Sequence, residues 1–96
     1  MMVLITYDVN TETQAGKRRL RHVAKVCQNY GQRVQHSVFE CVIDGMLLKK
    51  IQHQLENIID PEIDSIRYYY LGDNWKYKVE HIGVNQSFDI EGPLLF

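Results

Sequence analysis

The first nine residues, MMVLITYDV, form an almost continuous apolar run that carries one acid, Asp8, near its end. A run this short and this rich in β-branched side chains predicts a strand that is buried on both faces. A carboxylate buried there costs on the order of several kcal/mol unless it is paired, hydrogen-bonded or bound to a metal. Asp8 is therefore expected either to serve the fold, by capping the next helix or accepting backbone N–H groups, or to belong to a functional site.

The length and composition indicate one small domain. A chain of 96 residues can form one small core, which a dimer would help to stabilise. No apolar run approaches the roughly 20 residues that cross a bilayer, and the N-terminus lacks the features of a secretory signal. Cys27 and Cys41 have no Cys-x-x-Cys partner, which argues against a zinc site. Both are expected to be reduced and packed in the interior, as suits a cytoplasmic protein.

The charges are unevenly distributed, although the formal net charge is only -1. Residues 13–39 contain no acid, and most of the basic residues lie there: Lys17, Arg18, Arg19, Arg21, Lys25 and Arg33. A basic surface of this kind attracts polyanions such as nucleic acid. The alternative is an ordinary solvated helix face.

Two helices are predicted from apolar residues that recur at intervals of three and four. The first begins after a polar loop and ends near Tyr30, because Gly31 is a stop signal just past the last turn. The second covers residues 45–59, with Asp44 as its N-cap, and Pro61 ends it.

The remaining pattern predicts strands. One long strand is expected over residues 33–44, in which no turn signal is visible. Strands over 64–71 and about 77–82 are joined by the Gly-Asp-Asn turn at 72–74 and form a hairpin. The element order is then βαβαββ, which indicates two helices on one face of a mixed sheet of four or more strands.

The last segment, residues 83–96, is expected to be a tail of a single domain that spans residues 1–96. Alternating apolar residues over 87–91 predict a short edge strand, and Pro93 suits its exit. We expect this strand to pair with a partner subunit, because that would bury its apolar side chains. The alternative is a frayed chain end.

Essentially the whole chain resembles one protein family. The stretches ITYDV (5–9), KRRLR (17–21) and YGQRVQHSVFE (30–40) resemble CRISPR-associated protein 2, the small subunit of the spacer-acquisition machinery. The stretches KVEHIG (78–83) and DIEGPLLF (89–96) look like the branch from type I-C loci. The resemblance implies an α+β, ferredoxin-like sandwich with a mainly antiparallel sheet, an extra C-terminal strand and a two-fold homodimer.

The resemblance also implies a function in antiviral defence. Members of the family are described as metal-dependent endonucleases acting on RNA or duplex DNA, so Mg²⁺ is the expected cofactor. The alternative is a non-catalytic, DNA-binding adaptor that bridges dimers of the integrase, CRISPR-associated protein 1. A small-molecule-binding regulator with the same fold is a third reading, for which the arginines lack a pocket signature.

The catalytic and metal-binding residue is expected to be Asp8. In a two-fold dimer, Asp8 of each subunit could face the other across the axis, and the two carboxylates could share one cation. Several members of the family carry a further acid just after the strand, whereas this chain has Asn10, a neutral ligand.

The resemblance assigns roles to seven further residues. The expected nucleic-acid-binding residues are Arg18, Arg19, Arg21 and Arg33, because guanidinium groups match phosphate oxygens. The expected supporting residues near the site are Tyr7, Ser37 and Phe39. For Ser37 and Phe39, the alternative roles are a strand-bridging hydroxyl and a core ring.

Overall fold

The computed structural model describes residues 1–84. In that part the chain forms four strands and two α-helices, followed by a short 3₁₀ helix at Trp75–Tyr77. In chain order the elements are β1 (Met2–Asp8), α1 (Gln14–Tyr30), β2 (Gln32–Gln35), β3 (Val38–Val42), α2 (Gly45–Glu56) and β4 (Ser65–Gly72). The predicted strand over 87–91 and its pairing with a partner lie outside the described residues.

The four strands form one sheet in the order β2-β3-β1-β4, and every pairing is antiparallel. The order of elements is therefore βαββαβ, which is the ferredoxin-like arrangement, and the expected α+β class is confirmed. The pattern-based expectation of a mixed sheet was wrong, because the strand predicted over 33–44 is two antiparallel strands. The apolar strand β1 lies at the centre of the sheet, between β3 and β4.

The core lies between the helices and one face of the sheet. Val3 and Ile5 of β1 are fully buried there, opposite Cys41 and Phe39 of β3. The helices contribute the buried residues Val23, Cys27, Leu48, Ile51 and Leu55. The intervening residues of β1 point away from the helices: Leu4 and Thr6 are half-buried and Asp8 is exposed. The prediction of a strand buried on both faces was thus wrong, because the helices cover only one face.

Both helices begin at the polar residues that the local sequence offers. The hydroxyl of Thr13 accepts a hydrogen bond from the N–H of Gly16 at 3.0 Å, which caps α1. The carboxylate of Asp44 accepts one from the N–H of Leu47 at 2.8 Å and caps α2, as predicted. The helix α1 ends at Tyr30 as predicted, whereas α2 ends at Glu56, three residues before the predicted end.

The predicted strand over 33–44 is a hairpin with a turn at His36 and Ser37. Of the residues that usually mark a turn, this one contains only Ser37, which is a weaker signal than glycine, proline, asparagine or aspartate. It is held instead from β1, because the N–H of Tyr7 donates to the carbonyl of Ser37 at 3.1 Å. The hydroxyl of Tyr7 also donates to the carbonyl of His36 at 3.2 Å. These contacts span about 30 residues of sequence, so a local pattern could not reveal them.

The prediction of a strand over 77–82, paired in a hairpin with the preceding strand, was also wrong. Residues 73–84 contain the 3₁₀ helix and no strand. The chain turns at Gly72, whose φ of 74° favours glycine. Alternating apolar residues favour a strand only where one of its faces becomes buried. Here Tyr77 and Ile82 are 90 % and 94 % exposed in the described chain.

Neither α-helix in residues 1–84 has the length and apolar character that crossing a membrane requires.

Candidate functional site

Asp8 is the last residue of β1 and lies opposite Ser65 of β4. Its side chain is exposed, so the expected burial of this carboxylate was wrong. Within residues 1–84 the carboxylate has no hydrogen-bond or ion-pair partner, and Thr13 caps the following helix. Neither structural role that the sequence allowed for Asp8 is therefore seen in the described chain. Its oxygens are accessible to a ligand.

Residues 1–84 of one chain supply little else for a cation at this position. The described residues contain no group of three or more histidine, cysteine, aspartate or glutamate side chains that could hold a metal. The side-chain oxygen of Asn10 accepts the N–H of Glu12 at 3.0 Å and so stabilises the loop after β1. Mg²⁺ is usually held by one or two carboxylates together with waters and phosphate oxygens. Asp8 fits that chemistry, and residues 1–84 place no second carboxylate beside it for the same cation.

Three of the predicted site residues form an aromatic cluster, which we define as Tyr7, Arg33 and Phe39. The rings of Tyr7 and Phe39 are stacked, with centroids 6.2 Å apart and planes inclined by 21°. The guanidinium of Arg33 lies over the Phe39 ring, 5.0 Å from its centroid, which is a cation–π distance. Burial raises the pKa of the Tyr7 hydroxyl, and a hydrogen bond with Arg33 offsets only part of that rise. The hydroxyl therefore stays protonated near neutral pH.

The aromatic cluster lies on the helix-covered face of the sheet, whereas Asp8 points to the opposite face. Successive residues of a strand alternate between its two faces, which separates Tyr7 from Asp8. The structure thus brings Tyr7, Arg33 and Phe39 together but does not join them to the Asp8 carboxylate. Ser37 is half-buried beside this cluster, and its carbonyl accepts the N–H of Tyr7.

The hairpin that carries Arg33 and Ser37 also lines an open groove of about 610 Å³, formed by residues 32–38. Arg33 is exposed at this hairpin. Its guanidinium is therefore held against an aromatic ring and still accessible from solvent. Such a group can bind an anion without first becoming ordered.

The outward side of α1 forms a basic face, which we define as Lys17, Arg18, Arg21, His22 and Lys25. All five side chains are exposed. Within residues 1–84, Arg18 and Arg21 have no ion-pair or hydrogen-bond partner. Two of the four predicted phosphate-binding arginines thus lie on one accessible surface.

Arg19 lies on the inward side of the same helix. Its Nε atom is 2.8 Å from Oδ2 of Asp64, and its Nη2 atom is 3.4 Å from Oδ1. The side chain of Arg19 is 18 % exposed and that of Asp64 is fully buried. The role of Arg19 in nucleic-acid binding stays a prediction, but its guanidinium is already engaged by a carboxylate.

Asp64 is a functional candidate that the sequence reasoning missed. It is the one buried charged residue in the described part of the chain. Burial alone would raise its pKa, but hydrogen bonds from Arg19 and from the backbone N–H groups of Asp60 and Asn10 hold the pKa below its usual value. A signal was present: Arg19 shares a helix stripe with the buried residues Gly16, Val23 and Cys27, so it points inward and needs a buried partner.

Comparisons with known proteins agree on one family. The family model described as CRISPR associated protein Cas2 matches residues 1–79. The protein named CRISPR-associated endoribonuclease Cas2 from Chlorobaculum tepidum is 58% identical over 95 residues, which cover 99% of each chain. The CRISPR-associated endonuclease Cas2 of Halalkalibacterium halodurans is 58% identical over 96 residues, which cover 100% of each. The crystal structure of Streptococcus pyogenes Cas2 at pH 6.5 matches with a TM-score of 0.76 and 61% identity, covering 86% of this chain and 100% of that one.

Proposed function

Because this chain belongs to the CRISPR-associated Cas2 family, we propose that it is a Mg²⁺-dependent endonuclease that hydrolyses RNA or duplex DNA during spacer acquisition. The names of its relatives, endoribonuclease and endonuclease, support hydrolysis of a phosphodiester bond. The observation that carries the proposal is the exposed carboxylate of Asp8, which has no partner within residues 1–84 and lies at the end of the central strand. Because no group within residues 1–84 engages this carboxylate, its oxygens are available to a cation.

The proposed active form is a homodimer. Residues 1–84 of each chain offer one carboxylate at this strand end. A two-fold axis repeats every residue, so the Asp8 carboxylates of two subunits can bind one cation together. A bound Mg²⁺ supplies Lewis-acid polarisation of the phosphate and lowers the pKa of a bound water. The role of Asp8 is to hold the cation while leaving positions for water and phosphate oxygens.

The basic face of α1 and the groove beside Arg33 are the proposed contacts for the phosphate backbone. Arg18 and Arg21 are exposed and unpaired within the described residues, so phosphate binding breaks no ion pair. Arg33 is held over the Phe39 ring, which lowers the entropic cost of ordering its side chain. Nothing in these contacts reads base edges, so binding is expected to be independent of sequence and sensitive to salt.

The test is cleavage of RNA and of duplex DNA by the purified protein, with and without Mg²⁺, for the parent chain and for Asp8→Asn. The substitution keeps the size of the side chain and disturbs no contact seen in residues 1–84. Loss of a partner that only supports a metal ligand lowers metal affinity or activity about 10- to 100-fold. Loss of the ligand itself is therefore expected to lower the cleavage rate at least about 100-fold. The matched control is Glu12→Gln, which neutralises an exposed acid in the next loop. If Asp8→Asn cleaves as fast as the parent chain, the hydrolytic proposal fails.

A second candidate function is a non-catalytic adaptor that binds duplex DNA and docks CRISPR-associated protein 1. The observation that favours it is the small ligand set. Within residues 1–84, one acid lies at the strand end, and the neutral Asn10 is engaged in a loop hydrogen bond. The two functions separate in a spacer-acquisition assay. Acquisition that survives Asp8→Asn but is lost on combining Arg18→Gln with Arg21→Gln would support the adaptor. Assignment to type I-C stays part of this proposal.

A further inference from the structure

The carboxylate of Asp64 receives four hydrogen bonds from three separate parts of the chain. Oδ1 accepts the N–H of Asn10 at 2.9 Å and Nη2 of Arg19 at 3.4 Å. Oδ2 accepts Nε of Arg19 at 2.8 Å and the N–H of Asp60 at 2.9 Å. The four hydrogen bonds thereby use the acceptor positions of these two oxygens within the protein. The ion pair of Asp64 and Arg19 therefore presents neither a free acid nor a free base to solvent.

The residue held most completely by this arrangement is Asn10. Its N–H donates to Asp64, and its carbonyl accepts Nη2 of Arg19 at 3.5 Å. Both backbone polar groups of Asn10 are therefore bound by one ion pair. Asn10 is two residues after Asp8, and the residue between them, Val9, is buried in the core.

The same loop is held from the helix side by Gly16. A Cβ atom at Gly16 would lie 2.0 Å from the carbonyl oxygen of Asn10 and 3.3 Å from Cα of Thr11. The first turn of α1 therefore packs directly on the backbone of the loop. Any larger residue at position 16 has to displace Asn10, because the atoms it meets are backbone.

These contacts matter because the β1–β4 ladder ends at the pair formed by Asp8 and Ser65. The last pair of a ladder opens most easily unless something beyond it holds the chain. Asp64 immediately precedes Ser65, and it binds the chain two residues past Asp8. The backbone is thus held up to Asp8 by the pairing with β4 and again two residues beyond Asp8 by Asp64.

We propose that Asp64, together with Arg19, is a positioning residue that fixes the Asp8 carboxylate by holding the backbone of Asn10. The proposal rests on the proposed function of Asp8 as a cation ligand. In a two-fold dimer every displacement of Asp8 occurs twice, and functional groups need placement to within roughly 0.5 Å. A small movement of the loop would therefore separate the two carboxylates that share the cation.

The first experiment measures Mn²⁺ binding to the full chain without nucleic acid, by the electron paramagnetic resonance signal of free Mn²⁺. The variants are Asp64→Asn, which removes the charge that Arg19 binds, and Gly16→Ala, which displaces Asn10 and leaves Asp64 intact. Each is expected to raise the apparent Kd for Mn²⁺ by about tenfold. The matched control is Val3→Ala, a fully buried residue five positions before Asp8 in the same strand. It is expected to lower the stability and leave the Kd unchanged.

A second measurement needs no metal. Amide hydrogen exchange in the unsubstituted chain should show Asn10 protected relative to Thr11, whose N–H has no hydrogen-bond partner within residues 1–84. Asp64→Asn should speed exchange at Asn10 by about tenfold or more. Rapid exchange at Asn10 in the unsubstituted chain overturns the proposal without any variant. Gly16→Ala carries the test if Asp64→Asn does not fold.

The results also separate this proposal from the proposed function. If a folded Asp64→Asn variant binds Mn²⁺ as the parent chain does, or if Val3→Ala weakens binding equally, Asp64 is only a stabilising residue. If Asp8→Asn itself leaves Mn²⁺ binding unchanged, the cation role of Asp8 fails. The exchange at Asn10 then still decides whether Asp64 holds the loop.

Discussion

Replacing Asp64 by alanine tests whether the buried carboxylate organises the junction between β1 and α1. The substitution removes the acceptor for two backbone N–H groups, those of Asn10 and Asp60, each bonded at 2.9 Å. It also leaves the guanidinium of Arg19 without its carboxylate partner. A loss of stability is expected, because partly buried donors that lose their acceptor are less well hydrated than they are in the unfolded chain.

The size of the stability loss follows from the number of backbone donors left without an acceptor. A buried donor left unsatisfied costs about 1–3 kcal/mol, so two cost about 2–6 kcal/mol. Water can enter beside Arg19, whose side chain is 18 % exposed, and it can replace part of the lost bonding. We therefore expect Asp64→Ala to lower the free energy of unfolding by about 2–4 kcal/mol at pH 7.

The loss is expected to depend on pH with a definite sign. The folded-state pKa of Asp64 lies below the ordinary value of 3.8. A carboxyl with a depressed pKa stabilises the fold above its unfolded pKa and loses that contribution as the pH falls through the folded value. The parent chain and Asp64→Ala should therefore differ most in their free energy of unfolding above about pH 5. This difference should shrink below about pH 4.

The assay is urea unfolding followed by circular dichroism, at one fixed chain concentration because association would add to apparent stability. The control is Asp73→Ala, which removes an acid that is 92 % exposed and 3.4 Å from the amino terminus. An exposed pair of this kind contributes less than about 1 kcal/mol. A deficit for Asp64→Ala below about 1 kcal/mol at pH 7, or one that does not shrink in acid, would refute the reasoning.

Three further predictions concern the core, the thiols and the basic face. Leu55→Ala should lower the free energy of unfolding by about 2–5 kcal/mol in urea titrations, because it opens a cavity at a fully buried position. Burial raises the pKa of Cys27 to about 12 and that of Cys41 to about 11, so iodoacetamide at pH 8 should alkylate neither until the chain unfolds; rapid alkylation of the native protein would contradict this. Changing Arg18 and Arg21 together to glutamine should weaken duplex binding. It should also reduce the magnitude of the slope of log K against the logarithm of the salt concentration by about 0.9 per lost contact. A salt titration that gives the parent slope would contradict this prediction.

The helices could be predicted because their signals are local in the sequence. The capping carboxylate of Asp44 lies three residues from the N–H that it binds. The end of α1 was placed correctly at Tyr30, although the reason for the following glycine differs from the expected one. Gly31 has an extended backbone, with φ of -152°. A Cβ there would lie 2.4 Å from Sγ of Cys41, so close packing against β3 requires the glycine.

The strands were harder because their boundaries depend on distant partners. The turn at His36 and Ser37 is fixed by two hydrogen bonds from Tyr7, which the local sequence does not indicate. The alternation after Gly72 suggested a strand, but the described side chains there find no surface to cover them. Periodicity shows which residues could share a face, whereas it does not show whether anything packs on that face.

The candidate site was located by sequence only in part. The position of Asp8 at the end of β1 was predicted, and so was the basic character of α1. The division of that helix between the exposed Arg18 and the inward Arg19 was not. It depends on Asp64, which lies 45 residues beyond Arg19 and looks like any acid that precedes a strand.

The distance along the chain between Asn10 and Asp64 affects how the protein matures during translation. The two residues are 54 positions apart, so at about 5–20 residues per second the ribosome adds Asp64 roughly 3–11 s after Asn10. A nascent chain interrupted within α2 contains Asp8 but lacks the carboxylate that holds the following loop. The end of β1 therefore reaches its final geometry only late in synthesis, after both helices have been made.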